Sequence, residues 1–546
     1  MQALWRRVRL GLRPLGAWSS ARVLTGLVLS FGVWIVLDAS VLHLSSGLSK
    51  ASHDLMVRKR LWSAPADPRI VIVDIDEASL ARMSPEFGRW PWPRDTLATV
   101  LDHLERQQVQ AVVWDVLFSD PDRLNPGGDA AWDAAVRRSQ RSHFSVVRLP
   151  AAHDAGSQVR RATLPGLWAH AETGQQATVA LIPPFLASMA QAPLGLTNAQ
   201  PDADGVLRRF QDTERLRDDS LLQTLPLSVL QTVAPPLYQQ QIETARRTAI
   251  NATAPLIAWR AHEKAYPHIA FADLFAVAEG QPPAQAVPDL AGRIVLIGAS
   301  APTLHDIHPT ALSANQSGIE VLATLVDNEI HQRHIHELPM WAQAALAFSL
   351  CLLIALFSHH RSLNAIDPWM VGLPLGLTAI SYLSLHSDRV FLDLHLASGW
   401  ALAFMALLRL WQGLRQQHWC SLPTTEQPSQ AQGLLPLRLE SGWQEAQRHR
   451  LIALLERHAP ACRMLQAAPA PQVEWPELQQ LAALVGPQAQ LEALAGRWPH
   501  EPGWPELHLG PCQALGQTPA RAELLITAMA GWQHLLAAPR TAKELP

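Results

Sequence analysis

The sequence predicts an α/β fold: a mixed, mainly parallel sheet flanked by helices, carried on four transmembrane helices and followed by a small, mainly helical tail. Three observations predict it. Ile70–Val73 and Ala111–Trp114 are short apolar runs, each closing on a carboxylate, Asp74 and Asp115. Thr96–Gln107, between them, places Leu97, Val100, Leu101 and Leu104 at helical spacing. Long apolar runs occur once near the start of the chain and three times late in it.

A strand, a helix and a second strand of this length read as one βαβ crossover, with parallel strands buried on both faces. Ligands of open parallel sheets gather outside the carboxyl ends of the strands. Asp74, Asp76, Asp115 and Asp120 are therefore expected to cluster there. Trp90-Pro91-Trp92-Pro93 holds the chain extended, because a residue before proline avoids the helical region. Arg94 and Asp95 then open the helix, with the carboxylate favoured at its positive end.

At 546 residues the chain exceeds one ordinary domain. Its formal charge of −3 and lack of a basic block give no footprint for nucleic acid. Residues 1–22 carry five arginines and no acid, and 23–43 form an apolar anchor long enough to span a bilayer. A cleaved signal peptide shares that pattern, but no small-residue cleavage site follows, so an uncleaved anchor is preferred. The leading arginines place the N-terminus in the cytoplasm. Residues 44–338 form one exported, cysteine-free domain, which must rely on its core rather than on disulfides. Residues 339–411 hold three more spans, Met340–Phe357, Trp369–Leu385 and roughly Val390–Leu408, which return the chain to the cytoplasm. Residues 412–437 read as a linker and 438–546 as a small cytoplasmic helical domain, with helices at Trp443–His458, Glu477–Leu484, Gln488–Ala495 and Pro519–Leu536. The cysteines Cys420, Cys462 and Cys512 lack zinc spacing.

Several separated motifs, in order, resemble the extracytoplasmic CHASE sensor domain, type two, of bacterial membrane receptors. These are Asp74, Asp76 and Ser79; Trp90 to Arg94; and Asp115, Phe118, Ser119, Pro121 and Asp122. Asp202, Asp204, Gly205 and Arg208 match a further segment, just ahead of a strand expected over Val206–Gln211. Near the domain's end Gly292, Val295, Gly298, Ser300, Asp306, Thr310, Gly318, Glu320 and Ala323 match, while Ala311 and Leu322 replace the usual proline and histidine. The resemblance implies a periplasmic domain in a bacterial inner membrane, a sensory role, a homo-oligomer, and signalling through the membrane. Such receptors often end in a kinase or cyclase, but no such motif is legible here, so a cytoplasmic partner is expected to carry the output.

Asp74, Asp76, Arg94, Asp115, Ser300 and Asp306 are the candidate ligand-binding residues. Their oxygens suit a hard cation, or a cationic or polyhydroxylated molecule, and a periplasmic protein is the other kind of partner considered. Crowded carboxylates raise one another's proton affinity, so they need a counter-charge, for which Arg94 is the candidate. No nucleophile–base pair or metal motif stands beside them, so neither enzyme nor cofactor is expected. His331, His334 and His336 form an H-x-x-H-x-H cluster, read as a solvated juxtamembrane segment in preference to a transition-metal site. A structural or accessory subunit of an envelope complex, docking through the same domain, is the alternative to a sensor.

Overall fold

The computed structural model describes residues 20–170, 178–216, 218–248, 253–359, 367–420, 431–466, 479–498, 507–515 and 521–537. The chain divides into two compact units. One joins Ser46–Leu338 to Ile380–Asp393, and the other takes in the remaining segments.

The first unit is built on a seven-stranded sheet: β1 (Ile70–Ile75), β2 (Ala111–Trp114), β3 (Ser142–Arg148), β4 (Leu181–Ile182), β5 (Leu194–Leu196), β6 (His268–Ala270) and β7 (Ile294–Ala299). The order is β6-β1-β7-β2-β3-β4, with β5 also on β3. Every pairing is parallel except β3 with β4. The expected crossover departs in one respect: β1 and β2 are not neighbours, because β7 lies between them, pairing Ile70 with Ile294 and Ile294 with Ala111.

The strands are apolar throughout because both faces are covered. On one face Val71, Val73, Val112, Trp114, Val295 and Ile297 meet Leu97, Val100, Leu101 and Leu104 of α3 (Arg94–Arg106), which follows α2 (Glu77–Phe87). On the other, Ile70, Ile72, Val113, Ile294 and Leu296 pack against Ile319, Leu322, Ala323 and Val326 of α4 (Gly318–His331). Leu322 is part of this apolar face.

Mainly parallel describes the principal sheet alone. Trp168–His170, Leu221–Gln223 and Thr213–Arg215 form an antiparallel sheet, and Ile307–His308 with Gln316–Ser317 a ribbon. His334–Glu337 pairs antiparallel with Leu256–Ile257 and parallel with Val390–Phe391. The strand expected over Val206–Gln211 makes only isolated bridges, at Leu207 and Arg209.

In the second unit, α1 (Ser20–Leu37) continues through one wide turn, Asp38–Leu42. Among the described residues, three helical segments are long and apolar enough to cross a membrane: Ala21–Leu42, Met340–Ser358 within α5 (Met340–His359), and α6 (Asp367–Leu385). The fourth expected span is not among these three. Its region starts as the strand Val390–Phe391, and α7 (His395–Trp419) carries Arg409, Gln412 and Arg415, so it falls short in hydropathy. Instead α7 lies among the others. Its Phe404, Met405 and Leu408 are buried with Phe31 and Ile35 of α1 and Ala347 and Cys351 of α5.

The tail carries a sheet as well as its helices. β8 (Gln432–Leu439), β9 (Arg463–Gln466), β10 (Leu481–Pro487), β11 (Leu507–Leu509) and β12 (Gln513–Leu515) form an antiparallel sheet. Helices α8 (Glu445–His458) and α9 (Gln488–Arg497) cover one face, and α10 (Arg521–Ala537) the other. The linker expected over 412–437 is helix as far as Trp419 and strand from Gln432, with 421–430 outside the described residues.

Candidate functional site

Side chains alternate along a strand, so Asp74, following Ile70 and Ile72, projects onto the α4 face of the sheet. It is 5% exposed. Ser300, just past β7, donates its backbone N–H to Asp74 Oδ1 at 3.0 Å and its hydroxyl to Oδ2 at 2.6 Å. His268, the first residue of β6, places Nδ1 2.8 Å from Asp74 Oδ2. Its Nε2 lies 2.7 Å from Oε1 of Glu320, in the first turn of α4. An imidazole can donate at both nitrogens only when protonated. Burial by itself would depress the His268 pKa, but the hydrogen bonds and charges of Asp74 and Glu320 outweigh it and hold it up at about 9. The result is a buried carboxylate–imidazolium–carboxylate chain.

A second group lies one strand pair along. Asp115 follows β2 on the same face, and Gly298 of β7 stands between it and Asp74, with which Gly298 is in register. A Cβ at Gly298 would come 2.7 Å from Ile319 Cδ1 and 3.1 Å from Asp115 Cβ, so glycine lets α4 sit down on the rim. Two strand spacings separate Asp74 from Asp115, about 10 Å. Asp306 rests its carboxylate against Gly318, where a Cβ would be 2.1 Å from Oδ2. The Gly318 N–H donates to the Asp306 carbonyl, and His308 Nε2 lies 3.1 Å from Asp306 Oδ1. Desolvation, then the neighbouring charge of Asp306, pushes the Asp115 carboxyl up to about 7, with His308 pulling the other way.

Asp115→Asn is therefore expected to stabilise the protein at alkaline pH. The folded-state pKa lies above the unfolded 3.8, so stability is lost as pH rises from about 4 through about 7 in the wild type and not in the variant. A gain of about 1 kcal/mol at pH 8, discounted for the partial water contact of the group, and no gain at pH 4 should appear in paired thermal melts.

Of the six sequence candidates, Asp74 with Ser300 and Asp115 with Asp306 are brought to this rim. Asp76 is not: it caps α2, accepting the Ser79 N–H at 2.7 Å. Arg94 is not the counter-charge. It pairs with Asp129 and the Asp120 carbonyl, and lies 4.4 Å over the Phe185 ring. His268 supplies the counter-charge instead. Asp202 and Asp204 pair instead with Arg208, which also takes Asp54.

A sheet with both faces covered and helices apolar enough for a bilayer fit a membrane protein carrying an α/β domain. Residues 27–357, more than half of the chain, match the CHASE2 domain family, and the chain belongs to it. No output-domain family matches the remainder. Neither a curated protein nor a solved structure matches the chain.

Proposed function

We propose that the chain is a bacterial inner-membrane receptor whose CHASE2 domain, in the periplasm, binds a small ligand at the rim and relays binding to the membrane helices. One observation carries the reading. Glu320 is bonded to His268 at the rim, while α4, to which it belongs, runs unbroken to His331, and Gln332–Pro339 alone joins it to α5. A ligand that engages Asp115 and Asp306 alters the charge at the start of the element that leads into the bilayer. It shifts the receptor only by its differential affinity for two arrangements of that element. The acidic surface selects a cationic or polyhydroxylated ligand, and the output passes to a cytoplasmic partner, in a homo-oligomer.

Native mass spectrometry of the intact protein from mild detergent tests this. A bound small molecule, lost in Asp306→Asn, is expected. Recovery without one, as a fixed part of a larger assembly, supports an envelope docking subunit instead.

Both termini are assigned to the cytoplasm, which requires α7 to cross as well, shielded by α1 and α5. Fusions at Ser63 and at the C-terminus check it. A phosphatase active only outside the cytoplasm should work at Ser63, and a fluorescent protein that matures only inside should light up at the C-terminus. The reverse result at the C-terminus removes the fourth crossing.

A further inference from the structure

The H-x-x-H-x-H segment divides its histidines between two tasks. His331 turns to Asp67, 3.1 Å from its Nε2. His334 joins a different group: its Nε2 lies 3.8 Å from Glu329 Oε2, and one ligand atom each from Asp212, Glu329 and His334 falls within 4.8 Å of the others. Glu329, near the end of α4, is 1% exposed. Its Oε2 and Asp212 Oδ1 are buried and, among the described residues, have no hydrogen-bond partner. Asp212 is fixed in place, because its carbonyl accepts from both the N–H and the hydroxyl of Thr224.

Nearby cations are committed elsewhere. Arg209 pairs with Glu337, Arg333 with Asp327, and Arg215 donates to the carbonyls of Ala245, Arg246 and Thr248. A buried carboxyl facing the shielded Oδ1 of a half-buried one needs either a shared proton or a cation. Burial and the charge of Asp212 do raise the Glu329 pKa well above its ordinary value. The imidazole decides between the two. Two carboxylates and one histidine match the three protein ligands of an open zinc-type site, whereas calcium wants six to eight oxygens. The fourth position opens on a cavity of about 240 Å³ that His336 and Gln241 also line.

We propose that Asp212, Glu329 and His334 bind one first-row transition-metal dication, zinc in class, with water completing the shell from the cavity. His334 Nε2 lies 3.4 Å from the Gln241 amide nitrogen, a long contact that a bound metal would replace. This site is separate from the Asp74 rim and does not depend on the sensor reading.

The test uses the full chain in detergent, stripped with a chelator and titrated with Zn²⁺ against a chromogenic competitor, with thermal melts alongside. One equivalent is expected to bind and to raise the melting temperature, since a ligand of the folded state alone stabilises it. Glu329→Gln and His334→Ala should each weaken binding at least tenfold, roughly the loss common even for outer-shell changes, and abolish the zinc-dependent shift. Metal-free Glu329→Gln should melt no lower than wild type, because it removes one of two crowded acids, and so reports binding in a folded protein. His336→Ala should retain the site. Absence of one-equivalent binding in the wild type, or binding unchanged in Glu329→Gln and His334→Ala, overturns the assignment.

Discussion

Replacing His268 with leucine is expected to cost the Ser46–Leu338 unit about 3–5 kcal/mol, the range for removing one partner from a buried ion pair. Asp74 would keep its two bonds from Ser300, but Glu320, 2% exposed, would lose its charged partner. The effect carries a pH signature. The folded-state pKa is about 9 against an unfolded value of 6.5. The stabilisation is therefore fully present below about 6.5 and is lost as pH rises through about 9. Discounted for the partial exposure of the imidazole, the wild type should lose roughly 2 kcal/mol across that window. The variant should not, so the gap between the two proteins narrows from pH 6 to pH 10. Denaturant melts of the intact proteins in detergent at both pH values give the comparison. Equal stabilities at pH 6 would show that the imidazole carries no charge there.

Arg208→Leu is the second large effect, again about 3–5 kcal/mol. Arg208 is 3% exposed. Its guanidinium donates to both oxygens of Asp54 at 2.8 Å, to Asp202 at 2.9 Å and to Asp204 at 2.8 Å. Its hydrogen bond holds the Asp204 carboxyl down at about 2. Asp54 sits on helix Ser46–Arg58, which follows α1 in the chain. The variant should therefore loosen the segment through which the first span enters the domain. Hydrogen exchange of Ser46–Arg58 should quicken in Arg208→Leu relative to wild type, and unchanged protection would break this link. Since the folded-state pKa of Asp204 is depressed, its share of the stability is present above the unfolded 3.8 and is lost as pH falls through about 2.

Much of the domain is legible in the sequence for plain reasons. β1, β2 and β7 are β-branched runs too short for helices, and α3 keeps strict helical spacing. The pairing of Asp74 with Ser300 follows from both sitting at strand ends. What periodicity does not encode is order across the sheet: nothing in Ile70–Trp114 announces that β7 will come between its two strands. His268 escapes for a related reason. It opens a three-residue strand in HIAFADLF, whose apolar spacing also suits a helix, and its partners lie far along the chain. Glu320 was visible only as a family match.

The tail misleads differently. β10 is LAALVGP, whose Leu and Ala favour helix in isolation; pairing with β8 and cover from helices on both faces override that preference. β8, QGLLPLRL, sits beside a Pro- and Gln-rich stretch and so reads as part of a linker. Its Pro436 nevertheless lies within the strand.

The charge on His268 underlies the rim, its pH dependence and its link to α4. Histidine NMR on the isotope-labelled intact protein measures it directly, with the His268→Gln protein identifying the resonance. The imidazole is expected to stay protonated until about pH 9. Titration at or below the ordinary 6.5 would mean that Asp74 and Glu320 do not hold a cation between them, and would contradict this expectation.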